Sequence, residues 1–256
     1  MPRKSKAQHE IISGIHSVEE ALRANKRKFH EIYFARPLPG NIAESARKKN
    51  IPTLPKPAEA IQSLSGTDQH QQVAAKVGLF PPTSIAEMIK TPDTEDAPLY
   101  LIIDSIEDPR NLGALIRTAV CAGVSGVIVP KDRCAPLTPL VSRASAGAME
   151  HCRICRVTNL VAVINELKKH GIWVTGLDHK GALSIFDADM TGAHAIVIGG
   201  EHTGIRRLVA QNCDNLCHIP QFGAIGSLNA SVAGAIAMYE GIRQRHEQRK
   251  TARSAE

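Results

Sequence analysis

Three stretches of the 256-residue chain carry residue types that their local structure does not require. The first is Asp-Pro-Arg-Asn-Leu-Gly-Ala-Leu-Ile-Arg-Thr-Ala, residues 108–119, four residues behind the apolar run Leu99–Ile103. A strand-to-helix turn needs a cap and a hydrophobic stripe, and capping alone would account for Asn111. Arg117 is harder to place. It interrupts an otherwise apolar run, where a guanidinium needs a partner or a cleft, and it shares a helix face with Gly113 four residues earlier. The second stretch is Ile-Val-Ile-Gly-Gly-Glu-His-Thr-Gly-Ile, residues 196–205. An apolar strand there ends on Gly199 and Gly200, which let a ligand approach backbone amides closely, followed by Glu201 and Gly204. It is neither the Gly-x-Gly-x-x-Gly dinucleotide fingerprint nor a phosphate loop with Gly-Lys-Ser/Thr. The third runs from Cys217 to Ala233: Ile219-Pro220 ends a strand, and Ser227-Leu228-Asn229 opens a helix lined with Ala230, Ala233, Gly234 and Ala237. Ser227 reads equally as a cap, and the small residues as a tight helix contact. Asn229, in the first turn, is less easily explained.

The elements that would position these residues alternate. From residue 99 the pattern predicts strands at 99–104, 126–129, 153–157, 172–177, 194–199 and 215–219. Helices are expected at 111–122, 138–146, 159–170, 205–211 and 227–245. This is an α/β order with a mostly parallel sheet, which gathers ligands at the C-terminal strand ends. Residues 1–79 read as a smaller α/β domain, with a helix at His16–Leu22 capped by Ser17, a strand at Glu31–Ala35, a helix at Ile42–Lys49 and a closing strand at Gln72–Leu79. Residues 80–98 hold four prolines and an acidic cluster and read as a linker. The domain of 99–245 follows, then a polar tail, 246–256, expected to be flexible.

Charge is unevenly spread. The net charge is +6, and residues 1–50 hold eleven Lys/Arg against five Glu, leaving twenty of each sign in the remainder. Clustered cations displace counterions from phosphates, so the excess suggests a polyanionic partner, with Arg23, Lys26, Arg27 and Lys28 as the contacts. Eight Phe and Tyr residues are too few for a broad base-stacking sheet. No apolar run approaches the ~18 residues of a membrane span, and the basic, polar start predicts no secretory leader, so a cytoplasmic protein is expected. Of the six cysteines, Cys152 and Cys155 lie in a strand-like sequence, which favours small buried side chains over zinc ligands.

Taken together and in this order, the three stretches resemble the motifs of the SPOUT-class RNA methyltransferases, specifically the SpoU (TrmH-like) ribose 2′-O-methyltransferases. Asn111, Gly113 and Arg117 match Asn-x-Gly-x-x-x-Arg. Gly199, Glu201 and Gly204 match Gly-x-Glu-x-x-Gly. Ile219-Pro220, Ser227-Leu228-Asn229 and Ser231-Val232-Ala233 match the third motif. Gly14–Leu22 and His70–Val73 resemble the two ends of the family's N-terminal substrate-binding domain. Two departures stand out: Gln72 replaces a usual glycine, and His202-Thr203 replaces a small or acidic pair.

The resemblance implies a parallel-sheet domain whose C-terminal segment threads a trefoil knot, a homodimer built through that region, and S-adenosylmethionine as cofactor. Gly199, Gly200, Glu201, Ile219 and Leu228 are then cofactor-binding. Asn111, Arg117, Glu201, Ser227 and Asn229 are the catalytic set, and no metal is needed to move a methyl group off a sulfonium. The implied reaction is 2′-O-methylation of RNA, with a guanosine of 23S ribosomal RNA preferred over transfer RNA because a separate N-terminal domain is present. A non-catalytic RNA-binding protein of the same fold is the alternative from another class.

Overall fold

The structure is a computed structural model that describes residues 9–90, 97–201 and 203–254. His202 and the basic residues at positions 3, 4 and 6 lie outside it. The elements run β1 (His9–Ser13), α1 (Ile15–Ala24), β2 (Phe29–Phe34), α2 (Gly40–Lys48), β3 (Thr53–Pro55), α3 (Ala58–Ser65), β4 (Val73–Gly78) and α4 (Ile85–Lys90). They continue with β5 (Leu99–Asp104), α5 (Pro109–Cys121), β6 (Gly126–Pro130), α6 (Pro139–Ala144), β7 (Ile154–Val157), α7 (Leu160–Lys169) and β8 (Trp173–Leu177). The last are β9 (Leu183–Ser184), β10 (His194–Gly199), α8 (Arg207–Ala210), β11 (Asn215–His218) and α9 (Ala230–Ser254).

The chain divides into two compact units, and the division is not the expected one. Leu137–His151 leaves the second unit and packs with residues up to Pro81. The second unit comprises Pro82–Pro136 and Cys152–Glu256, so most of the expected linker belongs to it. Met88 of α4 is fully buried there, and a Cβ on Gly126 would come within 2.6 Å of its sulfur.

The first unit is a four-stranded sheet in the order β1-β4-β2-β3, with only β2 and β3 parallel. Its core joins Ile12, Val18, Leu22, Ile32, Ile42 and Val77. α1 begins two residues before the expected cap: Gly14 is its N-cap, and Ser17 is buried in the first turn. The side chain of Gln71 supplies the missing acceptor, 2.9 Å from the Ile15 amide. From the returning segment comes Glu150, whose carboxylate meets Arg27 through two hydrogen bonds of 2.7 and 2.8 Å. Glu10 accepts a third from the same guanidinium, which lies 5.1 Å from the Phe80 ring.

The second unit is a seven-stranded parallel sheet in the order β7-β6-β5-β10-β8-β11-β9. β5 is buried at all six positions, as expected of a strand covered on both faces. α5 is capped by Asp108, whose side chain accepts from the Arg110 amide, with Pro109 at its first position. This corrects the assignment of Asn111 as cap. α9 starts at Ala230, not Ser227. Asn229 is its cap, accepting from Ser231 N at 2.9 Å and Val232 N at 3.3 Å. The helix continues to Ser254, so residues 246–254 are helical where a flexible tail was expected. Its small-residue face is used within the chain: a Cβ on Gly234 would sit 2.4 Å from Leu115 of α5. Among the described residues no helix is long and apolar enough to cross a membrane.

Candidate active site

The geometry starts with two neighbouring strands. β5 and β10 pair in parallel with Asp104 opposite Gly199, so the loops that follow them leave the sheet side by side. Asp104 is completely buried and fastens the two loops, accepting from Arg206 N at 2.8 Å and Arg206 Nε at 2.6 Å. The loop after β10 closes on itself: Gly200 and Gly204 exchange backbone hydrogen bonds of 3.2 and 2.8 Å, with Gly204 at φ 59°. That closure requires Gly199, where a Cβ would fall 2.1 Å from the Gly204 carbonyl carbon. Gly200 is pressed against Ser105, with 2.3 Å from a hypothetical Cβ to the serine carbonyl oxygen.

One residue from each of the three motifs meets at this point. Asn229 Nδ2 donates to Glu201 Oε1 at 2.7 Å and lies 3.1 Å from Asn111 Oδ1, and Asn111 Nδ2 also donates to Glu201 Oε1. Asn229 Oδ1 meanwhile caps α9, so the helix start fixes the amide's orientation. Glu201 Oε2 has no donor among the described residues. The result is a rigid carboxylate with one oxygen saturated and one free.

Beside it lies a cleft of about 470 Å³ whose lining includes Gly199, Gly200, Glu201, Ile219, Ser227 and Leu228. These are the expected cofactor-binding residues together with Ser227, and the volume suits a small-molecule site. Sequence reasoning missed Leu177, Asp178 and Lys180, which also line the cleft from the C-terminal end of β8. Their position at a parallel strand's end was the signal that could have found them. Cys217 lines the floor, where burial pushes its thiol up and keeps it protonated.

Other expected residues stand elsewhere. Arg117 is exposed on α5 and makes no side-chain hydrogen bond or ion pair among the described residues, so it does not join the Asn111–Glu201–Asn229 cluster. Arg27 is corrected outright: its side chain is 0% exposed and committed to Glu150 and Glu10, leaving nothing for an external phosphate. Arg23 is exposed but paired with Glu19 and Glu20. Lys26 donates to the His151 carbonyl at 3.2 Å, and Lys28 is exposed. Among the described residues no group of three or more His, Cys, Asp or Glu is placed to hold a metal ion.

The chain is similar to known proteins along nearly its whole length. Residues 98–239 match the model of the SpoU rRNA Methylase family, and residues 11–82 match that for RNA 2′-O ribose methyltransferase substrate binding. A Bacillus subtilis protein assigned to the TrmH family of tRNA/rRNA methyltransferases is 36% identical over 93% of this chain and 97% of its own length. The 23S rRNA (guanosine-2′-O-)-methyltransferase RlmB of Ralstonia nicotianae is 35% identical over 92% and 96%. Among solved structures, the SpoU methyltransferase AviRb from Streptomyces viridochromogenes, in complex with AdoMet, has the same fold at a TM-score of 0.81 and 23% identity, covering 94% of this chain and 92% of its own.

Proposed function

We propose, from the premise that this chain belongs to the SpoU rRNA methylase family, that it methylates the ribose 2′-oxygen of a guanosine in 23S ribosomal RNA. The observation that carries this reading is the hydrogen-bonded trio of Asn111, Glu201 and Asn229 at the rim of a cleft of small-molecule size. Gly199 and Gly200 let the loop close tightly against Gly204 and Ser105, which fixes the backbone bordering the cleft in a shape suited to the edge of an adenine or ribose. Glu201's carboxylate suits the positive charge of a sulfonium. S-Adenosylmethionine, bound there, supplies the methyl group.

The chain's own part is placement and proton handling. Asn111 and Asn229 hold Glu201 Oε1, and Oε2 is left to accept a hydrogen bond from the substrate hydroxyl. Ser227 and Leu228 border the cleft where the ribose must meet the cofactor. Arg117, exposed and uncommitted on α5, serves as an anchor for an RNA phosphate rather than as a member of the Glu201 cluster. A guanidinium holds its proton too tightly to be a good base. Lys28 and the exposed cations of the first unit supply affinity without sequence information.

The same reading carries a knotted C-terminal segment and a homodimer. β10 lies between β5 and β8, an order that supports a chain threaded past its own earlier loop. Val232 and Tyr239, two helical turns apart on α9, are 47% and 51% exposed, and Phe222 and Ile225 stand out in the preceding loop. These apolar residues, rather than the small-residue face, form the dimer surface. Six free thiols suit the reducing cytoplasm.

The test is transfer of labelled methyl from S-adenosylmethionine to 23S ribosomal RNA and to transfer RNA, with the modified ribose mapped by primer extension. Arg117→Ala and Asn229→Ala are expected to abolish transfer, the first with cofactor affinity retained. Label on a base, or only on transfer RNA, would refute the reading. The second outcome would favour the transfer-RNA alternative that the Bacillus relative's name leaves open.

A further inference from the structure

A second cavity, of about 370 Å³, shares Gly200, Glu201 and Thr203 with the cofactor cleft and is bordered by Asn111. Its remaining lining is unlike the first: Glu107, Asp108, Arg133 and Arg206 bring two acids and two bases to one small space. Two of the four are already committed. Asp108 caps α5, and Arg206 is bound to buried Asp104. Glu107 and Arg133 are exposed and have no side-chain hydrogen bond or ion pair among the described residues, including with each other. An unpaired carboxylate and an unpaired guanidinium thus border one cavity beside the reacting centre.

The backbone there is also unusual. Ser105 has φ 64° and Arg133 φ 57°, the left-handed region that residues with a Cβ seldom occupy. Such conformations persist where the surroundings enforce them, and they concentrate at ligand sites. Here the surroundings are identifiable, since Gly200 is pressed directly onto the Ser105 carbonyl.

We infer that this cavity receives the base of the target nucleotide and reads it as guanine, Glu107 accepting from N1–H and N2–H while Arg133 donates to O6 and N7. The inference rests on the proposed 2′-O-methyl transfer and adds the residues that choose the nucleotide. Guanine presents a donor pair on one edge and an acceptor pair on another, which matches one carboxylate and one guanidinium. Adenine would turn its N1 acceptor toward the carboxylate, and a pyrimidine cannot span both groups. The shared wall of Gly200 and Glu201 puts the attached ribose next to the cofactor cleft, as in-line transfer needs.

The experiment measures kcat/KM on a 23S ribosomal RNA fragment carrying the mapped target guanosine and on the same fragment with inosine there, which lacks only the N2 amino group. Wild-type protein is expected to favour guanosine by about tenfold or more, the discrimination of one well-placed hydrogen bond to a charged group. Glu107→Ala is expected to lose activity on guanosine chiefly through KM and to bring the guanosine-to-inosine ratio near one. Its affinity for S-adenosylmethionine, measured by calorimetry, should stay unchanged and so verify the fold. Arg133→Met is expected to abolish the preference for guanosine over 7-deazaguanosine. A wild-type protein indifferent to inosine, or a Glu107→Ala variant with full discrimination, would overturn the inference. A wild-type protein that methylates no RNA would instead bring down the reading beneath it.

Discussion

Replacing Arg27 by alanine tests what a basic run means once the chain has folded. The guanidinium is wholly buried, donates to Glu150 at 2.7 and 2.8 Å and to Glu10, and lies over Phe80. Glu150 is itself fully buried, and burial pushes its carboxyl up while Arg27 opposes the shift. Removing one partner from a buried pair leaves an uncompensated charge, a loss of about 3–5 kcal/mol. For a chain of this size that lowers Tm by roughly 6–20 °C. The double replacement Arg27→Met/Glu150→Leu removes both charges and keeps volume, so it should recover most of the loss. Thermal and urea melts followed by circular dichroism give both numbers, and the single variants Arg27→Met and Glu150→Leu complete a double-mutant cycle. Lys28→Ala, one residue away and exposed, is the control and should melt with the wild type. If Arg27→Ala melts normally while losing RNA affinity, the guanidinium is accessible and the burial argument is wrong.

Gly199→Ala should destroy S-adenosylmethionine binding in calorimetry, because its methyl would fall 2.1 Å from the Gly204 backbone and force the loop open; retained affinity would contradict the cleft assignment. His194, hydrogen-bonded to Thr175 at 2.8 Å, has its pKa lowered to about 4 from 6.5, chiefly by burial. The unfolded imidazole takes up a proton below about 6.5 and the folded one only near 4, so this residue's share of stability is lost as pH falls between those values. The share is about 3 kcal/mol at most, and a urea-stability series from pH 7 to 4 should be flatter for His194→Gln. Deleting residues 1–80 should yield an aggregating protein rather than a free-standing second unit. The deletion strips partners from the buried Val141, Met149 and Glu150, and a soluble, cofactor-binding fragment in sedimentation would refute this.

Local pattern carried the second unit well. Leu99–Asp104 and His194–Gly199 have the expected limits, because continuous apolar runs bounded by polar turns leave a buried parallel strand few alternatives. The motif residues were legible as a set, and Asn111, Glu201 and Asn229 meet. Their local roles were not. Asp108 outcompetes Asn111 as cap because Pro109 fixes the helix start one residue after it. β3 and α3 escaped notice because the strand has three residues and prolines punctuate the segment. Arg27 looks like Lys26 and Lys28 in sequence, and its partner Glu150 is 123 residues away. Periodicity finds the helix at 139–144 but says nothing about which unit it completes.

That excursion of residues 137–151 has a consequence for synthesis on the ribosome. The first unit lies at the chain's beginning, yet it lacks the return segment until translation is well into the second unit. At about 5–20 residues per second, Arg27 waits about 6–25 seconds for Glu150, 123 residues later, with Glu10 as an earlier carboxylate partner. By then β5, α5 and β6 have been made but not yet β10, their sheet's central member. Neither unit can therefore finish before the other has begun. The order of emergence makes their folding interleaved rather than sequential, and a pause between residues 81 and 137 would hold both half-built.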